Sequence, residues 1–441
     1  MASKPPLLFQ SKVLCFSLLY LFSSLFFSLY ISFSQTKCLF NSPPPDYLLF
    51  SYPTTYGEHK HAIPATRSSC SSPVTFTDYE VVLEEIRVLC GNSTDFGVGL
   101  RYLEDGGQSF GGGFSTQERK SFFDKTDEVP CGFFTEFPIR DSDRQAMESC
   151  KGVVVVSVIF NNHDKIRQPK NLGVETLHTV CFFMFIDNST LQDLQSHKII
   201  SNNPTPSSRP PKVGAWNIVT VQGKLPYDDP AMNGVIPKHL VHRLFPNARY
   251  SVWLDAKLQL TADPLLLIHS MVVSEGVDMA IAKHPFNVDV MEETIATVRW
   301  KKWGDVESLR AQMEAYCENG LQPWSHKKLP YTTDVPDTAL IIRKHSTGSN
   351  RFSCLLFNEL NAFNPRDQLA FAFVRDLMKP PIKINMFETE TFEHVTIEFR
   401  HNLKHHNEGQ AKSSNKMRWV NAPRDINGSS CKWYLLKLWG D

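Results

Sequence analysis

The chain has 441 residues, of which 42% are hydrophobic and 21% charged, a balance ordinary for a folded protein and too apolar for a disordered one. Lys+Arg and Asp+Glu both number 46, so the formal net charge is zero. No nucleic-acid partner is expected, because counterion release calls for a basic surplus. The length allows one large domain or two ordinary ones.

Residues 1–12 read as a cytosolic tail, followed by an uncharged apolar run from Val13 to Phe33. At about 1.5 Å per residue this run can cross a hydrocarbon core about 30 Å thick, so residues 13–33 are expected in the lipid bilayer. Lys4 and Lys12 precede it and favour a cytosolic N-terminus, the single-pass type II arrangement. The rival reading is a cleaved signal peptide, with Ser32 and Ser34 as the small residues before the cut. The run exceeds the roughly 7–15 apolar residues of a signal, which favours an anchor. Either reading sends the remainder to the secretory lumen. Sequons at Asn92, Asn188 and Asn427 agree with that address as candidate glycosylation sites.

Beyond Cys15 the cysteines form no C-x-x-C pair, so a zinc ribbon or thioredoxin-type motif is absent. Disulfides are allowed in this compartment. Cys70–Cys90 and Cys131–Cys150 are expected as local loops, although spacing does not fix connectivity. Cys181, inside the apolar run TVCFFMFI, is expected to be a buried free thiol.

Residues 34–70, rich in Pro, Ser and Tyr, read as a stem. Residues 71–130 read as an N-terminal extension with a short helix over Tyr79–Leu89 and a glycine-rich loop from Gly106 to Gly113. That loop is neither a Walker A nor a G-x-G-x-x-G following a strand. From Lys151 the pattern changes. Val153–Phe160 is a continuous β-branched run, as expected of a strand buried on both faces. Further strands are predicted at Val180–Ile186, Trp216–Val221, Tyr250–Leu254, Met279–Ala282 and Ala339–Arg343. Helices are predicted at Lys238–Phe245, Asp263–Ser274 and Asp305–Asn319, and Pro204, Pro206, Pro210 and Pro211 mark a surface loop. Strands alternating with helices imply an α/β domain with a largely parallel sheet flanked by helices, over residues 131–410, then a tail at 411–441.

In open α/β sheets ligands bind beyond the carboxyl ends of the strands, which singles out Asn161, Asn162, Asp187, Asp255 and Lys257. The stretch YSVWLDAKLQL delivers Asp255 at a strand end with Lys257 two residues on. GT-A-type nucleotide-sugar transferases use this layout with an Asp-x-Asp that holds Mg²⁺ or Mn²⁺ on the diphosphate. Here a lysine replaces the second acid; it suits direct neutralisation of a diphosphate. The bland alternative is an aspartate that caps a turn.

Asp367, in NPRDQLAF, is a candidate general base or substrate hydroxyl acceptor at a helix start, with Arg366 beside it. Pro365 and Asp367 equally suit an ordinary helix N-terminus. His401 opens a histidine-rich stretch that offers a metal ligand or phosphate contact, and Asp255 and His401 are the candidate metal pair. His284, Asp334 and Asp337 complete the substrate-binding candidates. No H-E-x-x-H occurs, so a zincin reading has no motif behind it.

Taken in order, Cys131-Gly132-Phe133, Gln168-Pro169, Trp253–Leu260, His284-Pro285, Asp334–Asp337 and Asn364–Gln368 resemble a plant glycosyltransferase-like domain family, formerly a domain of unknown function. One member type, Turgor Regulation Defect, is described as an alkaline ceramidase, and another, linked to mucilage, as a probable hexosyltransferase. The short N-terminal region and tail are more similar to the first. The resemblance covers roughly residues 130–410 and implies a membrane enzyme of the Golgi or endoplasmic reticulum. By that nearer member it implies ceramide hydrolysis in sphingolipid metabolism and turgor regulation, with a membrane lipid as substrate, and this is the first expectation, narrowly ahead of sugar transfer. The residues themselves favour hexosyl transfer from a nucleotide sugar, with Mn²⁺ or Mg²⁺ as the cofactor of that chemistry. A non-catalytic lumenal scaffold is the third alternative.

Overall fold

The computed structural model describes residues 12–33, 49–64, 74, 76–91, 99–103, 115–132, 137–201, 210–223, 225–401 and 431. Cys38, Cys70, Asn92, the glycines at 106–113, Pro204, Pro206, Asn427 and most of the tail at 411–441 lie outside these residues.

The apolar run forms one helix, Lys12–Phe33, and its segment Lys12–Leu29 is not covered by the rest of the protein. Phe16, Leu19, Tyr20 and Phe26 are each about 70% exposed, so the helix has no polar face to turn towards water. It is long and apolar enough to span a membrane, which fits a single-pass anchor.

The folded part is built on an eight-stranded sheet. Chain order gives β1 (Arg101–Leu103), β2 (Glu128–Pro130), β3 (Gly152–Ile159), β4 (Val180–Ile186), β5 (Lys212–Val213) and β6 (Trp216–Thr220). Then follow β7 (Ala248–Leu254), β8 (Leu258–Leu260), β9 (Met279–Lys283), β10 (Pro336–Lys344), β11 (Ile384–Phe387) and β12 (Thr396–Glu398). The large sheet runs β11-β9-β10-β7-β3-β4-β6-β5, while β1–β2 and β8–β12 form two small pairs.

β3 shows why a run of valines makes a central strand. Val154 and Val156 enter the core on one face, and Val153, Val155 and Ile159 enter the core on the other. β3 pairs in parallel with β4 and β7, and β4 with β6. The expected largely parallel sheet is corrected at β10, which runs antiparallel to both β7 and β9. β5 is also antiparallel to β6, in a tight hairpin. A strand buried on both faces, such as PDTALIIRK, reads the same in either direction, so apolar patterning does not carry orientation.

The predicted helix at Lys238–Phe245 is two elements, Pro230–His239 and Val241–Leu244. The helix predicted from Asp263 is Pro264–Ile268, continued by a π turn over His269–Val273. Residues 49–64 of the expected stem pack on the domain. Tyr56 is buried, its hydroxyl accepting from the Ile166 N–H at 2.8 Å, and Ala62 bridges to Phe399. Aromatic residues in a Pro-rich stretch supply apolar area worth burying, which a flexible tether lacks.

The cysteine expectations are also corrected. Cys131 pairs with Cys354, Cys150 with Cys181, and Cys317 with Cys431. Cys131–Cys150 therefore does not form, and Cys181 is not a free thiol. Sheet and helix packing bring distant cysteines together, whereas chain spacing favours local loops. Cys90 has no disulfide partner among the described residues.

Candidate active site

Four element ends converge at the strand ends in the middle of the sheet. They are the carboxyl end of β7, the start of β10, the last turn of Pro230–His239 and the first turn of the helix Asp367–Leu377. Asp255 leaves β7 with its N–H still bonded to the Ala339 carbonyl (2.8 Å), and its own carbonyl accepts from the Leu258 N–H (2.8 Å). That turn sends Lys257 outward and starts β8. β12 then pairs with β8 and brings Glu398 to Lys257, Nζ to Oε1 2.8 Å.

Asp255 is partly exposed. It accepts from the Trp253 indole N–H at 2.7 Å and lies 3.6 Å from the Lys238 ammonium. Burial raises its carboxyl above the usual range, with Lys238 and Lys257 pulling in the other direction. Lys238 is almost fully buried and also donates to Asp367 at 2.8 Å and to the Thr338 hydroxyl at 3.1 Å. Its pKa is affected first by burial, which lowers it, but Asp255 and Asp367 outweigh that and leave it raised. Asp367 shows the mirror image. Burial raises its carboxyl, yet the Lys238 ammonium and the His239 hydrogen bond leave it far below the usual range. Such a carboxylate is an anchor for Lys238 and a poor proton acceptor.

His239 is buried and neutral, burial driving its pKa down to about 4. Arg343 can only donate, so the ring nitrogen facing it at 3.5 Å (Nδ1) is the acceptor. Nε2 then carries the proton and donates to Asp367 at 3.2 Å.

A second cluster adjoins the first through the neighbouring residues Arg366 and Asp367. Its centre is Glu293, fully buried on the helix Val290–Arg299, which receives Arg366 at 2.8 Å, Lys302 at 3.0 Å and the Asn287 amide at 2.6 Å. His284 lies 3.6 Å from Glu293, and its Nδ1 accepts from the Asn287 N–H. Burial lowers the His284 pKa.

The remaining candidates separate. Asp337 begins β10 and accepts the Ala339 N–H, close enough to Lys257 to help raise its pKa against the opposing effect of burial. Asp334 is buried in an ion network with Arg375 (2.5 Å) and Lys328 (2.7 Å), which fastens a loop to the helix Asp367–Leu377. His401 meets Asp164 at 3.0 Å, with its ring tilted against that of His163, so it joins the loop after β3 and not Asp255. Asp187 caps the helix Asn188–Ser196 and accepts the Asn161 N–H, a structural use. Asn188 itself is exposed in that first turn. Sequence reasoning missed Lys238, His239, Glu293 and Glu398. Lys238 reads as the wet face of an amphipathic helix, and its burial follows from the strand end that covers it.

The strand-end residues do not fit a divalent cation. The second position of an Asp-x-Asp is the Lys257 ammonium, and Asp255 already faces Lys238. Among the described residues one group has metal-ligand spacing, Cys131, His242 and Cys354, and its two sulfurs are joined to each other.

The model of the family described as "TOD1/MUCI70, glycosyltransferase-like domain" matches residues 101–401. The chain belongs to this family. The match begins 30 residues before the domain start expected at 131, so β1 and β2 belong to the family domain. The protein named alkaline ceramidase TOD1 of Arabidopsis thaliana is 56% identical over 99% of this chain and 98% of its own length. The protein named probable hexosyltransferase MUCI70, from the same plant, is 35% identical over 78% of this chain; the match spans 62% of that protein's length. Apo mouse xyloside xylosyltransferase 1 overlaps 53% of this chain and 84% of its own, at 8% identity with a TM-score of 0.29, too low to argue from.

Proposed function

We propose that this family member is a membrane-anchored glycosyltransferase that moves a hexosyl group from a nucleotide sugar to an acceptor hydroxyl. The observation that carries the reading is Asp255, delivered by β7 into the strand-end crevice between Lys238 and Lys257. In this reaction the bond from the sugar's anomeric carbon to the diphosphate breaks and a bond to the acceptor oxygen forms. Lys257 and Lys238 offset the charge that develops on the departing diphosphate. Asp255, its carboxyl raised by burial, takes the acceptor proton. Asp367 and His239 position Lys238, while Glu293 holds Arg366 and His284 towards the acceptor side. Asp337 lies close to Lys257 at the same strand end. Three disulfides favour an oxidising compartment, and with the N-terminal helix they support a type II protein of the Golgi or endoplasmic reticulum. A glycan at the exposed Asn188, read as an endoglycosidase-sensitive mass shift, tests that address.

One observation favours a second reading, ceramide hydrolysis: the 56% identical relative carries the name alkaline ceramidase. The anchor would hold the crevice close to a lipid substrate. The deciding experiment offers the purified full chain a panel of nucleotide sugars and, separately, a labelled ceramide at alkaline pH, each with Asp255→Asn alongside. Sugar turnover lost in the variant supports transfer. Fatty-acid release without sugar turnover moves the assignment to hydrolysis, and silence in both assays favours a scaffold.

A further inference from the structure

We propose that the strand-end crevice binds the diphosphate of its nucleotide donor without a divalent cation, the Lys257 ammonium supplying the charge that a metal ion would otherwise bring. The inference rests on the transferase reading and names how its donor is held.

The first argument is charge. Two carboxylates with a divalent cation sum to zero, and so does one carboxylate with one ammonium. Replacing the second acid of an Asp-x-Asp by lysine therefore changes the local charge by two units, the charge of the ion it makes redundant. A cation placed there would meet Lys257 and Lys238 at close quarters, and of the two Asp-x-Asp positions only Asp255 still offers a carboxylate.

The second argument is placement. The Lys257 backbone is pinned on both sides, by the Asp255–Leu258 turn and by the Phe399 N–H donating to its carbonyl at 2.8 Å. Its side chain retains 23% exposure, so Lys257 reaches solvent, while Lys238, at 11%, lies deeper against Asp255. An ammonium has three donors, and Glu398 engages one of Lys257's. Burial lowers the Lys257 pKa, but Asp337, Asp255 and Glu398 raise it further, so the group stays charged at any physiological pH.

The third argument concerns the competitors. Asp337 and Asp367, the other acids of the crevice, are engaged by the Ala339 N–H and by Lys238 and His239. Glu398 is the movable one, 34% exposed and paired through its side chain with Lys257. An arriving diphosphate displaces Glu398 from Lys257, so Glu398 acts as an internal counter-ion that sets affinity.

The test measures binding of uridine diphosphate and guanosine diphosphate to the detergent-solubilised full chain by calorimetry, in chelator and in Mn²⁺. Binding of at least one in chelator, within about twofold of its value in Mn²⁺, is expected. Lys257→Ala should weaken it about tenfold or more and Glu398→Gln should tighten it, both with unchanged thermal unfolding. Lys257→Asp, which rebuilds two acids, should bind only when Mn²⁺ is added. Wild-type binding that chelator abolishes and Mn²⁺ restores overturns the proposal alone, as does Lys257→Ala binding like wild type. No binding of either nucleotide in either buffer overturns it together with the transferase reading.

Discussion

Lys238 donates to Asp367 across 2.8 Å from a position where neither side chain meets appreciable solvent. Their burial makes the pair costly to break from one side, because the surviving charge is left without water or partner. Lys238→Met should lower the unfolding free energy by about 3–5 kcal/mol, and the double change Lys238→Met, Asp367→Leu should recover much of the loss. Thermal and denaturant unfolding of the two variants read this directly. A single variant within about 1 kcal/mol of wild type would show that the pair is solvated.

The reach of sequence reasoning is visible at these same residues. The strand ending at Leu254 was legible because a run of apolar residues meets Asp255 at its edge, and the strand-end rule then places the site. Lys238 and Glu293 were not legible. Each is a charged residue on a helix, and only the packing of that helix against a strand end or a neighbouring loop removes it from water. Direction was hidden for a related reason: β10 is buried on both faces, so its pattern fits parallel and antiparallel pairing alike. Cys131 and Cys354 are separated by 223 residues, a pairing set by the fold and not by spacing.

Cys317, on the helix Val306–Glu318, is joined to Cys431 and closes a loop with a sequence separation of 114. A cross-link of that length restricts the unfolded chain strongly, so Cys431→Ser should cost about 2–4 kcal/mol. Non-reducing peptide mapping should recover Cys131–Cys354, Cys150–Cys181 and Cys317–Cys431. A Cys131–Cys150 peptide would contradict the packing of β2 against the helix Thr347–Ala362.

Glu293 is fully buried and gathers Arg366 and Lys302, while those two cations keep 21% and 33% exposure. Glu293→Gln retains the shape and one set of hydrogen bonds but loses the charge. Because the cations reach solvent, the stability cost should stay near 1–2 kcal/mol. Arg366 then loses its fixed position, so turnover should fall well beyond what the unfolding change explains. Parallel measurement of melting temperature and specific activity separates the two. Equal losses in both would assign Glu293 to folding alone.

His239 makes stability depend on pH with a definite sign. Its folded pKa lies at about 4, with burial as the main cause, while in the unfolded chain the imidazole titrates near 6.5. Between those values the unfolded chain binds more protons, so stability falls as pH is lowered. The contribution is fully present above about pH 6.5 and disappears as pH falls through about 4, a span worth up to about 3 kcal/mol. Asp289 acts oppositely in an overlapping window, since burial lifts its carboxyl to about 6. A comparison with His239→Gln isolates the imidazole, because the glutamine amide can still donate to Asp367 but does not titrate. The wild-type melting temperature should drop more than the variant's between pH 7 and about pH 4.5. Parallel curves would mean that His239 is already protonated in the folded state, and the tautomer assigned from Arg343 would then be wrong.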